Sequence, residues 1–289
     1  MTDVVITDAY EGVLTITLNR PESKNAVNRA LALRMVEAID ELENNPDLRA
    51  AIITGAGGTF CSGMDLKAFV SGETPHIEGR GFGGVTEYVP KKPLLAAIEG
   101  YALAGGFELA ISCDLIVAAD TAKFGIPEVK RGLAAAAGGL CKLPKQIPYR
   151  IAMEMALTGE FFSAERAADL GLINHVVPEG KALEAARELA AKIAANGPLA
   201  VAASKQVVCS AQDWDSSEMN ERQNKILSPV FVSEDAIEGA TAFAEKRPPN
   251  WKGKYDLLIY PFLLQNLGLQ LRLHPLLSGK IFLDLLFRF

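Results

Sequence analysis

The sequence has few of the residues that build a disulfide framework or a metal site. Its cysteines occur without any CxxC pair, at Cys61, Cys113, Cys141 and Cys209. This scatter is typical of free thiols in a reducing compartment. Three histidines occur, far apart in the chain, and no two of them have the spacing of metal ligands. We therefore predict neither a disulfide scaffold nor a bound metal ion.

The sequence also lacks an excess of positive charge. Its formal net charge is −6 at pH 7. Proteins that bind nucleic acids or anionic membranes need a basic face, so neither partner is expected. The first residues, MTDVVITDAYEG, contain neither the basic n-region nor the apolar h-region of a secretory signal. We expect a cytoplasmic protein.

The segment from Tyr255 to Phe289 is rich in leucine and contains no Glu or Ala. A membrane-spanning helix needs about 20 uninterrupted apolar residues. Here the apolar residues are interrupted by Asp256, Pro261, Arg272 and Pro275. We interpret the segment as a non-native or read-through extension that follows a natural end near Lys254, with a functional anchor as the alternative.

Strand-like and helical segments alternate over the first part of the chain. VLTITLN (13–19) and AAIITG (50–55) have the composition of strands, and the segment 28–46 has helical apolar spacing. Such alternation predicts an α/β core. The stretch 71–90 is polar and rich in glycine, so we predict a loop outside the core. Beyond about Ile151 the chain is predicted to be mostly helical.

One helix of this later part has clear boundary signals. In SAERAADLGL, Ser163 is predicted as the N-cap and Gly171 as the C-terminal stop.

Glycines mark two turns at which a strand gives way to a helix. These turns are FCSGMDL (60–66) and ALAGGFEL (102–109). Such turns direct free backbone N–H groups toward a pocket, with the helix dipole behind them. Two of them facing each other would form an oxyanion hole. The alternative is that the glycines only permit tight turns or close helix packing.

The sequence also contains a nucleotide-like turn, TGAGGTF (54–60). A dinucleotide-binding fingerprint would need glycine where the chain has Phe60, and no P-loop Lys-Ser/Thr pair follows. Dinucleotide binding is therefore not predicted.

Two acids lie in glycine- or proline-defined turns within apolar surroundings. Glu108 comes three residues after Gly105, and on a helix it returns to the face of the first turn. Glu128 follows Pro127, whose ring restricts the backbone. A lone glutamate is usually a surface or salt-bridged residue, but two acids in such positions are candidates for acid–base chemistry.

Five blocks together resemble the crotonase (enoyl-CoA hydratase/isomerase) family. They are NRPESKNAVN, FCSGMDLKAF, GYALAGGFELAISCDL, AKFGIPEVKRGL and FAEKRPPNWK, and the likeness extends from about Val4 to Lys254. The resemblance implies an α/β fold, a crotonase-like spiral of ββα units with a helical C-terminal part. It further implies a core with the active site over residues 1–195, a helical oligomerisation part over 196–254 and trimers or hexamers.

The resemblance also implies an enoyl-CoA hydratase, which adds water to a trans-2-enoyl-CoA to give a 3-hydroxyacyl-CoA in acyl-CoA degradation. No cofactor is expected, because CoA is part of the substrate. Carried over by motif, the oxyanion donors are Met64 and Gly105, and the catalytic acids are Glu108, as base, and Glu128. The candidate CoA contacts are Arg20, Lys24, Lys67 and Lys246.

One block departs from the family pattern. Where hydratases resemble GxxPGAGG, this chain has GLAAAAGG, with Ala135 for proline and Ala136 for glycine. Substrate preference is therefore open. The alternatives are another family reaction, such as isomerisation or thioester hydrolysis, a non-catalytic acyl-CoA-binding protein, and an RNA-binding member, which the acidic charge disfavours. The loop 71–90 is predicted to line the acyl pocket.

Overall fold

The computed structural model describes residues 3–255. From residue 256 on, the predicted extension lies outside the described residues. The chain divides into two compact units, the first ending at Gln212 and the second beginning at Asp213. The sequence-based division after residue 195 stays a prediction.

The strands belong to one large and two small sheets of the first unit. Along the chain they are β1 (Val5–Tyr10), β2 (Val13–Leu18), β3 (Ala50–Gly55), β4 (His76–Ile77), β5 (Gly81–Phe82), β6 (Leu94–Ile98), β7 (Tyr101–Leu103), β8 (Leu115–Ala119), β9 (Lys123–Gly125), β10 (Phe162–Ser163) and β11 (His175–Val177). The large sheet has the order β1-β2-β3-β6-β8-β11. Its neighbours pair in parallel, apart from the antiparallel hairpin of β1 and β2.

The helices alternate with these strands and then dominate the later part of the chain. They are α1 (Arg29–Asn44), α2 (Leu66–Val70), α3 (Gly105–Ala110), α4 (Gly139–Gln146), α5 (Tyr149–Thr158), α6 (Ala164–Asp169), α7 (Ala182–Ala194), α8 (Pro198–Ala211), α9 (Met219–Phe231) and α10 (Glu234–Glu245). A 3-10 helix, Pro127–Arg131, follows β9. No helix within residues 3–255 is long and apolar enough to cross a membrane.

Both faces of the large sheet are covered. On one face, Ile52 and Leu95 pack with the alanines of α7, whose small side chains allow close approach. On the other face, Ile53 and Ala96 belong to the main core together with the buried side of α1. Strands buried on both faces read as continuous apolar runs, which is why AAIITG and LLAAI do not alternate with polar residues.

The predicted helix boundaries agree with the caps. The Asn28 side chain accepts a hydrogen bond from the Leu31 N–H at 3.0 Å and caps α1. Ser163 caps α6 through the Arg166 N–H, and Gly171 follows that helix with a φ of +77°. Capping side chains and glycines predict helix boundaries because each acts on backbone groups only a few residues away.

The prediction that residues 71–90 lie outside the core is wrong for residues 81–86, which are buried. Phe82 and Val85 join the main core cluster. A Cβ added to Gly84 would lie 2.6 Å from Val36 Cγ2 of α1, so this glycine permits close packing on the helix. Here the glycines reflect tight contact rather than exposure to solvent.

A small sheet carries the segments that lead into the candidate site. Its order is β10-β9-β7, with β7 and β9 parallel. The rings of Phe107, Phe124 and Phe162 pack together with centroids 5.5–5.9 Å apart. This aromatic cluster fixes the start of α3 relative to the turn after β9.

Candidate active site

The first glycine turn joins β7 to α3. Gly105 is the first residue of α3, where a helix leaves its N–H groups without partners inside the helix. The preceding residue, Ala104, has a φ of +54°, and its N–H donates to the Gly125 carbonyl at 2.8 Å. A Cβ added to Gly106 would lie 2.3 Å from the Cys61 carbonyl oxygen. The turn is therefore pressed against the chain at Cys61, and only glycine fits there.

The second glycine turn lies beside the first. Cys61 pairs in parallel with Ala102, and Met64 pairs with Val27. In the second pair the bonds run from the Val27 N–H to the Gly63 carbonyl and from the Asp65 N–H to the Val27 carbonyl. This pattern turns the N–H of Met64 away from Val27.

Gly63 connects the two turns in space. A Cβ added to it would lie 3.3 Å from the Gly105 nitrogen and 2.8 Å from the Ala104 Cβ. Met64 and Gly105 line the same cavity. The structure thus brings both predicted oxyanion donors together.

Glu108 is buried, with only 1% of its surface exposed. Its Oε1 accepts hydrogen bonds from the N–H groups of Ala137 and Gly139, each at 2.8 Å. The pKa of the Glu108 carboxyl is raised overall, because the effect of burial exceeds that of these two bonds and the cation of Lys142, which lower it. The carboxylate is therefore held in one orientation by the loop that departs from the family pattern.

Glu128 lies in the 3-10 helix that begins with Pro127. Its Oε2 is buried and has no hydrogen-bond partner among the residues that the structure describes. Burial, with a smaller contribution from the charge of Glu108, raises the pKa of Glu128 to about 7. A buried polar atom without a partner is costly, so this oxygen is suited to a group that arrives from the cavity.

The cavity that joins these groups has a volume of about 710 Å³. Glu108 and Glu128 are the acids in its lining, among the residues described. Thr74, Pro75 and Phe82, from the loop 71–90 that is predicted to line the acyl pocket, also line this cavity. A cavity of this size with few polar groups is typical of small-molecule sites.

The predicted CoA contacts differ in their placement. Lys24 lines the cavity, with its ammonium 5.4 Å from the centre of the Tyr101 ring. Arg20 does not line it; its guanidinium bonds to Asp65 at 2.9 Å and to the Ala26 carbonyl, so its charge is satisfied within the protein. Lys67 is exposed on α2 and does not line the cavity either. Lys246 ends α10 in the second unit, whereas the residues around the cavity belong to the first.

Sequence reasoning missed three polar residues that line the cavity or act on the charge of its acids. Arg131 and His76 line the cavity. The sequence could have indicated Arg131, since it lies three residues after Glu128 in the family-like block AKFGIPEVKRGL. Lys142 is half-buried, and its ammonium donates to the Ser112 hydroxyl at 2.6 Å and to the Thr86 carbonyl at 2.8 Å. No local pattern marks Lys142, because its partners are distant in sequence.

The sequence profile of the Enoyl-CoA hydratase/isomerase family matches residues 8–254. Over 253 residues the chain is 43% identical to the enoyl-CoA hydratase EchA19 of Mycobacterium tuberculosis, covering 83% of this chain and 93% of the relative. It is also 43% identical to a carnitinyl-CoA dehydratase of Proteus mirabilis, covering 84% of this chain and 95% of the relative. A solved enoyl-CoA hydratase from Mycobacterium tuberculosis H37Rv superimposes with a TM-score of 0.86 at 56% identity, covering 87% of this chain and 100% of that one.

Proposed function

Because the chain belongs to the enoyl-CoA hydratase/isomerase family, we propose that it adds water to the double bond of a trans-2-enoyl-CoA. The product would be a 3-hydroxyacyl-CoA, in the degradation of a fatty acid or a related acyl-CoA. The observation that carries this proposal is the pair of acids in one cavity, one held by two N–H groups and one with an unpartnered oxygen.

The two glycine turns supply the N–H groups that polarise the thioester of the substrate. The thioester oxygen of the substrate accepts hydrogen bonds from the N–H groups of Met64 and Gly105. Negative charge develops on this oxygen as water adds, and fixed donors stabilise it without reorganising. Removing one such donor typically costs about 10²–10³ in rate. The donors are backbone groups, so the methionine side chain at position 64 does not prevent this role.

The two carboxyl groups carry out the proton transfers of the reaction. Glu108, ionised and oriented by Ala137 and Gly139, takes a proton from the water that attacks C3. Glu128 gives a proton to C2 from the oxygen that has no partner in the protein. Paired acids can do this when their environments give them different protonation, and the raised pKa of Glu128, about 7, supports its role as the acid.

The charges of the cavity favour a neutral acyl group. A carnitinyl group carries a quaternary ammonium, which proteins recognise through aromatic cages or opposing acids. Apart from the two acids with assigned roles, the ionisable side chains of the described lining include Lys24, His76 and Arg131. The lining also contains aromatic rings, those of Phe69, Phe82, Tyr101 and Phe161, so the proposal of a neutral acyl group depends on the basic charges. Basic residues repel a cationic acyl group, and we therefore propose a neutral enoyl-CoA as the substrate. No separate cofactor is proposed, because CoA enters as part of the substrate.

The test is the loss of enone-thioester absorbance when purified protein is mixed with trans-2-enoyl-CoAs of different acyl length. We expect hydration of at least one neutral enoyl-CoA and little activity with an analogue that bears a trimethylammonium group. A Glu22→Gln variant should keep the wild-type rate and serves as the control for replacing a glutamate, since Glu22 is exposed and lies outside the cavity. Background rates with every neutral enoyl-CoA would refute hydration. A preference for the cationic analogue would favour a carnitinyl-type reaction instead.

A further inference from the structure

The N–H of Met64, one of the two proposed oxyanion donors, belongs to a short extended stretch that is bonded to the segment 20–27. The Gly63 carbonyl accepts a hydrogen bond from the Val27 N–H at 2.8 Å. The Asp65 N–H donates to the Val27 carbonyl at 2.9 Å. Because the residues on both sides of Met64 are bonded to this segment, the direction of the donor depends on where the segment lies.

A buried side chain, that of Asn25, fixes the segment 20–27. Asn25 has no exposed surface. Its Oδ1 accepts a hydrogen bond from the Arg20 N–H at 2.9 Å. Its Nδ2 donates to the carbonyls of Ala56 at 2.9 Å and Thr59 at 2.6 Å. The segment therefore has a fixed position relative to the turn that follows β3.

An ion pair completes the connection between this segment and the Met64 turn. The Arg20 guanidinium donates to Asp65 Oδ2 at 2.9 Å and also to the Ala26 carbonyl. The side chains of the pair are only 16% and 15% exposed. The other oxygen of Asp65, Oδ1, accepts two N–H groups at the start of α2. One carboxylate thus joins the segment 20–27, the residue after Met64 and α2.

The charge of Asp65 strengthens this connection. Burial raises the pKa of Asp65, but the hydrogen bond from Arg20, with the N–H groups of α2, lowers it overall. The carboxylate is therefore ionised at neutral pH, and a charge-assisted pair is about twice as strong as a neutral hydrogen bond. Arg20 does not line the cavity, whereas Met64 does. Asp65 connects the two, since it bonds to Arg20 and directly follows Met64.

We propose that Arg20 and Asp65 are positioning residues for the oxyanion donor at Met64, because their ion pair holds the backbone around this N–H in place. The inference rests on the proposed function for the identity of the reacting group. A preorganised donor is effective because it needs no reorganisation as charge develops. A displacement of about 1 Å can cost about 10²-fold in rate. Loss of the ion pair should therefore lower kcat although Met64 itself is unchanged.

The alternative role for Arg20 is the CoA contact that the family resemblance implies. The two roles act on different ends of the substrate. A CoA contact acts on the phosphates of the nucleotide, whereas positioning of Met64 acts at the thioester. A thioester of pantetheine keeps the acyl group and the thioester but has no phosphate, so it separates the two roles.

The first test compares kcat and KM for an enoyl-CoA and for the same acyl group on pantetheine. We expect Arg20→Met and Asp65→Asn each to lower kcat about 10–100-fold with both substrates. Arg20→Lys keeps the charge and should retain more of kcat than Arg20→Met. The matched control is Arg34→Met, which should keep the wild-type rate, since Arg34 forms an exposed ion pair with Asp3 and does not line the cavity. A loss confined to KM of the CoA thioester would overturn the proposal.

A double variant tests whether the two residues act as one unit. If Arg20 acts through Asp65, the variant with both Arg20→Met and Asp65→Asn should be no slower than the slower single variant, because each single change already breaks the pair. Losses that multiply in the double variant would show two independent roles and refute the proposal.

An infrared measurement needs no turnover and separates this inference from the proposed reaction. Hydrogen bonds to a carbonyl oxygen lower its stretching frequency, so butyryl-CoA labelled with ¹³C at the thioester carbonyl reports the oxyanion donors directly. We expect a downshift on binding to the wild type and to Arg34→Met, and a smaller one in Arg20→Met and Asp65→Asn. This pattern would support the inference even if no hydration is found.

The same spectra can contradict the inference. Equal downshifts in the wild type and both variants, with unchanged far-UV circular dichroism, would show that the ion pair does not position Met64. Asp65→Asn keeps the size of the side chain, so the measurement remains decisive if Arg20→Met does not fold.

Discussion

The two acids of the cavity are held by different parts of the fold. Glu108 is on α3, one turn after Gly105, and its carboxylate accepts two backbone N–H groups of the 137–139 loop. Glu128 is in a short 3-10 helix fixed by Pro127, and its buried Oε2 has no partner among the described residues. One carboxylate is satisfied by the protein, and the other is left for a molecule in the cavity.

This difference in hydrogen bonding also affects the pKa values of the two carboxyl groups. Burial raises the pKa of both carboxyl groups. At Glu108 the two N–H bonds and Lys142 oppose that effect and favour the ionised form. At Glu128 the opposing effects leave a pKa of about 7. The pKa of both side chains is raised, and the two N–H bonds to Glu108, which the buried Oε2 of Glu128 lacks, are the difference that suits the two acids to the roles proposed for them.

Replacing either acid should have the largest effect on activity. Glu108→Gln removes the base and Glu128→Gln removes the proton donor, and each should lower kcat by about 10²–10⁴. Initial rates with the best enoyl-CoA substrate would measure the loss. Both glutamines keep the shape of the side chain, so far-UV circular dichroism should be unchanged. Full activity in either variant would remove the role proposed for that residue.

Moving Glu108 without changing it should have a smaller effect. A Cβ added to Gly139 would lie 2.9 Å from the Glu108 Cγ and 3.0 Å from its Oε1. Gly139→Ala should therefore displace the carboxylate by a fraction of an ångström and lower kcat about 10–100-fold. Substrate binding should change less, so the loss should appear in kcat more than in KM. A variant with unchanged kcat would show that the position of Glu108 is not restricted as the geometry indicates.

The free energy of unfolding should depend on pH through the buried Glu128. Glu128 has a pKa of about 7 in the folded chain, against an ordinary value of 4.5 for a glutamate side chain. Between these values the folded protein binds more protons than the unfolded chain, so this group makes stability fall as pH rises through that window. Glu128→Gln should remove the loss and raise stability at pH 8 by the order of 1 kcal/mol, allowing for partial solvent screening. Urea unfolding at pH 5 and pH 8 measures it, and an equal pH dependence in both proteins would contradict the assignment.

Local signals carried most of what the sequence could predict. The glycine turns at Gly63 and Gly105 and the cap at Ser163 depend on residues within a few positions of one another. The family resemblance drawn from five blocks is confirmed, as is the crotonase-like fold, by the match over residues 8–254 and by the solved relative.

Long-range contacts could not be predicted in the same way. The burial of residues 81–86 depends on contact with α1, and glycine-rich composition alone suggested exposure. The two N–H bonds to Glu108 come from residues 29 and 31 positions away. The ion pair of Arg20, for which a CoA contact is predicted, is with Asp65, 45 positions away. In each case the partner is set by the tertiary fold, which a single sequence does not reveal.

Replacing Lys142 should change the pKa of Glu108, and we expect it to have the smallest effect on activity of the variants described here. Its ammonium bonds to the Ser112 hydroxyl, which in turn donates to the Glu108 carbonyl at 2.6 Å, and its charge lowers the pKa of Glu108. Lys142→Met should therefore raise that pKa, because the ionised carboxylate loses a nearby cation. The acid limb of the kcat/KM profile should move to higher pH, so that the variant loses more activity than the wild type on the acid side of the profile. Lys142→Arg keeps the charge and should leave the limb in place, whereas an unmoved limb in Lys142→Met would mean that the two N–H bonds alone set the charge of Glu108.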